Sequence, residues 1–313
     1  MKPLTFLILQ LLFISTLSIG QTFQDVADLN DKSFSKAIRK DSPLGKEMKM
    51  LVRQGKITKE NLTLPKRIGL LSFYIYDESW GKKQGNYIVW NFLTEKGANK
   101  FAQQFHDEGI SAINTALKTE SIELLTPEQF LNTSEKKEIY KNFEVQYTGL
   151  LKAAAGFAGA FARGAGKRSI SATPYGYRLF AVTGPVGQDP KLQRTMGKLA
   201  KDLELDAVMV LQISTVTNAK NSAVKDIQLS MFGPNPEEFD PDRKYPGIMG
   251  AGGYWEGKCY GWYSLLIGDI VFVKHSKKKG GRPEETFQGW DQLLARLGKH
   301  FIGYINEVLT YPE

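Results

Sequence analysis

The sequence predicts an α/β fold: a mixed, partly parallel sheet with amphipathic helices packed on it, and a long helical and glycine-rich insertion over 135–175. Two near-continuous apolar runs, "RIGLLSFYIY" (67–76) and "DAVMVLQIST" (206–215), have the composition of strands covered on both faces. A third run, "YRLFAVTG" (177–184), precedes a helical stretch opened by Asp189-Pro190 that leads into the run at 206. That strand, helix, strand order implies parallel strands joined by a crossover helix.

The elements follow in chain order. "MKPLTFLILQLLFISTLSIGQTF" reads as an export leader: Lys2, an apolar run over 4–17, then small residues before a cleavage point expected after Gly20. The run is shorter than the roughly 20 residues of a membrane-spanning helix. Residues 21–65 are polar and lysine-rich, broken by Pro43 and Pro65, and are expected to be a helical or partly loose lead-in to a single α/β domain over 66–313. "NYIVWNFL" (86–93) reads as a strand beside the first one, with "GKKQG" (81–85) as the turn between them. A helix then opens at Thr94, with Ala98, Phe101, Ala102, Phe105, Gly109, Ala112, Ile113 and Ala116 on one face. "SIELL" (121–125) is a short strand, and Thr126-Pro127 a helix start with proline at its first position. Leu192, Met196, Leu199, Ala200 and Leu203 share one side of the next helix. "VKDIQLSMF" (224–232) and "CYGWYSLLIGDIVFVK" (259–274) are further strands, and residues 290–309 form a closing amphipathic helix.

The apolar content of 42% is enough for a packed core, and with Cys259 as the single cysteine an exported chain of this kind has no internal disulfide. The formal net charge of +8 suits anionic lipid, acidic glycan or nucleic acid, and export sets nucleic acid aside. The dense basic cluster is "KHSKKKGGR" (274–282), where Lys277, Lys278, Lys279 and Arg282 are candidate anion contacts at a hairpin tip.

"LLKAAAGFAGAFARGAGKRS" (150–169) could cradle phosphate, enter a membrane or pack as a helix. Phe161 stands where a phosphate loop needs its first glycine, and Arg168 where it needs a hydroxyl. The uncharged part, 153–162, is too short to span a bilayer. A helix over 134–163 lying on the sheet, followed by a glycine-rich loop, accounts for the pattern, and surface attachment or partner insertion is the alternative.

Catalytic signatures are sparse. His106, His275 and His300 stand apart from any partner at metal-ligand spacing and read as solvated residues, and Cys259 as a small core residue. The acidic loop 234–247, with Glu237, Glu238, Asp240 and Asp242, lacks the ligand alternation of a calcium loop. No cofactor is expected. In "GAGGYWEGKCYGWYS" (250–264), Trp255, Tyr260, Trp262 and Tyr263 alternate with glycines and are candidate partner-binding residues, either a platform for a glycan or peptide or aromatics packed beneath a helix.

The order "KRIGLLSF", "KFAQQFHDEGISAINTAL", "SIELLTPEQF", "LAKDLELDAVMVLQIS" and "DIQLSMF" resembles the envelope α/β domain of the curli-secretion CsgG, TolB amino-terminal and LpoB proteins over about 66–232. The resemblance implies a periplasmic or outer-membrane accessory protein that binds other envelope components and has no catalytic residues to carry over. Those lipoproteins carry an acylated cysteine near their start, and this chain has none there. The expectation is an exported, non-enzymatic protein whose partner is an envelope protein or glycan, with an anionic membrane surface as a further possible contact. The alternatives are a secreted enzyme with dispersed acidic residues and a peripheral membrane binder. The sequence leaves the oligomeric state open.

Overall fold

The fold is that of a computed structural model, which describes residues 21–53, 63–77, 82–84, 87–89, 95–146, 170–182, 189–218, 220–234, 257–276 and 281–310. The helices are α1 (Phe23–Ala27), α2 (Asp31–Lys36), α3 (Pro43–Arg53), α4 (Glu95–Lys118), α5 (Pro127–Phe130), α6 (Ser134–Asn142), α7 (Pro190–Asp202) and α8 (Trp290–Leu309). The strands are β1 (Ile38–Asp41), β2 (Arg67–Asp77), β3 (Lys82–Gln84), β4 (Tyr87–Val89), β5 (Glu123–Leu125), β6 (Ile170–Ala172), β7 (Ala207–Thr217), β8 (Asn221–Pro234), β9 (Gly257–Lys274) and β10 (Glu284–Glu285).

The sheet runs β1-β9-β8-β7-β2-β5, with β6 also on β2 and β10 also on β9. It is mixed and open. β2 lies parallel to both β7 and β5, whereas β7, β8, β9 and β1 succeed one another antiparallel. The two apolar runs are the central parallel pair, in register from Ile68 opposite Ala207 to Asp77 opposite Thr215. A bulge between Leu70 and Ser72 interrupts that ladder.

Helices cover both faces. On one face α4 and α8 lie side by side with α1, and their apolar stripes meet Ile68, Phe73, Met209, Leu229 and Phe272 in the larger core. Close approach of these helices rests on two glycines: a Cβ on Gly109 would lie 2.5 Å from Trp290 Nε1, and one on Gly298 would lie 2.7 Å from Ile113 Cγ1. The opposite face is covered by α7, whose Leu192, Met196, Leu199 and Ala200 pack on Val208, Val210 and Phe232. Asp189 caps α7 by accepting a hydrogen bond from Leu192 N at 3.0 Å.

Two helix-to-strand turns share one device. After α4, Ile122 N bonds Leu117 O and Ser121 N bonds Lys118 O; after α7, Leu205 N bonds Ala200 O and Glu204 N bonds Lys201 O. Both are Schellman turns, and Ser121 and Glu204 occupy the left-handed position with φ of 58° and 57°. Each turn delivers the chain directly into a strand parallel to β2.

Four expectations are corrected. Residues 21–53 of the expected lead-in pack into the domain: Phe23, Val26, Phe34 and Leu44 are buried in the larger core, and β1 forms the sheet edge on β9. Single apolar residues spaced through a polar stretch anchor these short helices to the core, a packing that mean composition conceals. Of the run 86–93 the described residues 87–89 form β4, which pairs with β3 in a separate two-stranded ribbon and not with β2, and β3 occupies much of the expected turn. The helix beginning at Ser134 ends at Asn142, where Phe143 turns extended with φ of −64° and ψ of 130°. The glycine- and alanine-rich part over 150–169 lies outside the described residues.

The run 177–182 is irregular chain and not a strand. It passes the stretch of β2 between β5 and β6, where two side chains replace the backbone ladder. Ser72 Oγ donates to Arg178 O at 2.7 Å and accepts from Phe180 N at 3.1 Å. Tyr140 Oη donates to Leu71 O at 2.8 Å and accepts from Arg178 N at 2.9 Å. Tyr177, Phe180 and Val182 are nonetheless buried, which gives the segment the apolar composition of a strand.

Candidate functional site

The candidate site is a groove of about 430 Å³ between edge strand β1, helix α2 and the outer side of α8. Helical spacing builds one wall. His300, Gly303, Tyr304 and Glu307 recur three and four apart, on a stripe beside the buried Leu297, Phe301, Ile305 and Val308. Strand alternation builds the other wall: Ile38 and Lys40 share the groove side of β1, and Lys40 lies opposite Tyr263 of β9.

Aromatic rings and cations meet there. Tyr263 and Tyr304 stack at 5.2 Å between centroids with an interplanar angle of 29°. The ammonium of Lys40 sits 4.6 Å from the Tyr304 ring centre and 3.9 Å from the Glu307 carboxylate. Tyr263 Oη donates to His300 O at 3.2 Å, which fixes its ring against α8. His300 in turn lies 4.9 Å from the Phe34 ring, with Nε2 3.9 Å from Asp31.

Titration behaviour follows from this partial burial. Burial, with Asp41 adding repulsion, pushes the Tyr304 phenol up to about 12, and burial also raises Tyr263. Burial and the neighbouring Arg296 hold His300 below its ordinary value, against an opposing pull from Asp31. At neutral pH the groove therefore offers neutral phenols and a neutral imidazole, beside the side chains of Lys40, Lys299 and Glu307. Such a set can bind an anion beside an aromatic surface. Its one lining carboxylate is Glu307.

The predicted site residues fall differently. Tyr263 is buried and lines the groove. Tyr260 is buried, with Oη donating to Pro234 O at 2.7 Å. Trp262 is half-buried opposite Ser230, and its Nε1 and Ser230 Oγ are both buried without a hydrogen-bond partner. Arg282 is exposed. Trp255, Lys277, Lys278, Lys279 and the acidic residues Glu237, Glu238, Asp240 and Asp242 lie outside the described residues. Lys40, His300, Gly303 and Tyr304 were missed, because only the pairing of β1 with β9 brings a segment near residue 40 beside α8.

None of the three histidines is a freely solvated residue. His106 packs edge-on against Phe73 at 5.5 Å, with Nε2 3.2 Å from Tyr177 Oη. His275 Nε2 lies 3.3 Å from Ser222 Oγ, and a chain runs on through Thr217 Oγ1 at 3.0 Å to the Asp77 carboxylate at 2.9 Å. The residue types are those of a serine nucleophile with its base, but their arrangement is not. The carboxylate contacts the serine side instead of the imidazole, and Ser222 is fully buried. This chain of groups ties the ends of β2, β7 and β8 together.

Cys259 is fully buried, and burial pushes its thiol well above the ordinary range, consistent with a core residue. It is expected to react with a thiol reagent such as Ellman's only as fast as the protein unfolds; immediate reaction in native buffer would contradict its placement under α7. Among the described residues, no group of three or more His, Cys, Asp or Glu is arranged to hold a metal ion, and no helix is long and apolar enough to cross a membrane. Comparison of the chain with protein-family models, curated proteins and solved structures finds no match.

Proposed function

We propose that the chain is an exported, non-enzymatic accessory protein of the bacterial envelope that works by binding another envelope component in the groove between β1 and α8. The observation that carries this reading is the groove itself, a ligand-sized depression holding a stacked tyrosine pair and a cationic rim. The leader-like segment 1–20 supports export, and the resemblance to the CsgG, TolB amino-terminal and LpoB domain supports an envelope role.

The test is retention of solubilised envelope material by the immobilised mature protein. Retention by the natural chain and its loss in Tyr304→Ala, with unchanged unfolding midpoint, is the expected result. Equal retention by both forms removes the groove from the reading. In the same cells, amino-terminal sequencing of the envelope fraction is expected to begin at Gln21, and an uncleaved cytosolic chain would remove the envelope.

A further inference from the structure

Gly303 stands inside helix α8, where glycine is among the poorest helix formers. The other glycine inside α8, Gly298, has a packing reason, since a side chain there would collide with Ile113. Gly303 has none: a Cβ at this position meets nothing within 4 Å. The space it leaves open is the groove, which it lines between His300 and Tyr304. A residue that weakens its helix and touches no neighbour keeps volume free for something outside the fold.

The chemistry of that occupant follows from the rim. Lys40 and Lys299 face the space against one lining carboxylate, Glu307, whose side chain is 73% exposed and lies 3.9 Å from Lys40, while the neutral His300 has Asp31 3.9 Å from its Nε2. The balance favours an anion. A bare inorganic anion would leave most of about 430 Å³ and the tyrosine pair unused. The hydroxyls of Ser35 and Tyr304 and the edges of the aromatic rings suit a hydroxylated ring with an apolar flank. Resting on the proposed binding role of the same groove, we infer that Gly303 is the clearance for an acidic saccharide, a sugar unit bearing a carboxylate or phosphate that pairs with Lys40 and Lys299 while its ring lies along Tyr304.

The experiment is titration calorimetry of the natural protein, Gly303→Phe, Gly303→Ala and Lys40→Gln with an oligogalacturonate, a neutral galactose oligomer of the same length, inorganic phosphate, and phosphatidylglycerol vesicles. The oligogalacturonate is expected to bind the natural protein at least tenfold more tightly than the neutral oligomer or phosphate, and at least tenfold more tightly than it binds Gly303→Phe or Lys40→Gln. Gly303→Ala controls for folding, with a melting temperature expected to rise by about 2 °C. Equal binding of acidic and neutral oligomers, vesicle binding indifferent to Gly303→Phe, or no oligogalacturonate binding would overturn the inference. If envelope material is still retained in a Tyr304-dependent way while no acidic sugar binds, the saccharide assignment fails alone. If neither is seen, the groove reading fails with it.

Discussion

Replacing Glu47 with alanine is expected to destabilise the fold by about 3–5 kcal/mol, read as a lower urea midpoint at unchanged slope. Glu47 on α3 and Lys258 at the start of β9 form an ion pair at 2.5 Å, with side chains only 10% and 5% exposed. Burial draws Lys258 below its ordinary value of 10.5, and the Glu47 carboxylate opposes that shift. Removing the carboxylate takes this counter-charge from an ammonium in a low-dielectric site. The sign of the pH dependence follows: an amine whose folded value is depressed binds fewer protons in the native state than in the unfolded one, so stability rises with pH below 10.5. The deficit of Glu47→Ala should therefore shrink between pH 7 and pH 10. The double replacement Glu47→Leu, Lys258→Met removes both charges and is expected to recover most of the loss. A single-variant loss under 1 kcal/mol would mean that water reaches Lys258.

The second large effect lies in α1. Phe23→Ala is expected to cost about 3–5 kcal/mol by equilibrium unfolding, the range for emptying a buried phenylalanine site. Phe23 is 1% exposed, and its ring meets Trp290 edge-on at 5.4 Å and Phe105 at 6.1 Å. Trp290 is itself fixed by Nε1 donating to Phe105 O at 2.7 Å, so the cavity has little freedom to collapse. Arg296 adds a second clasp by donating to Ala27 O at 2.7 Å and to Leu29 O. A variant within 0.5 kcal/mol of the natural protein would show that the first helices are a detachable lead-in after all.

Most of the scaffold was legible in the sequence. The runs at 67 and 206 read as central strands because neither face needed polar residues, and α4, α7 and α8 read as helices because their apolar residues recur at the helical period. The misread elements depend on distant partners. Strand β1 reads as "IRKD", polar by composition, and becomes a strand by pairing with Trp262 to Leu265. The segment 177–182 failed in the opposite way: its residues are apolar because they are buried, while hydroxyls of Ser72 and Tyr140 occupy the hydrogen-bonding edge it would have used. Of the site, Tyr263 was visible among the aromatics, but Lys40 and Tyr304 are ordinary residues until the edge strand and last helix frame a groove around them.

The clasp between α1 and α8 also orders events in time. Ser42 donates to Tyr260 O across 218 positions, and Trp290 supports a ring near the opposite end of the chain. Contacts of such sequence separation close late and slow folding. A nascent chain emerging from the ribosome thus holds α1 without its α8 contacts until that twenty-residue helix is released.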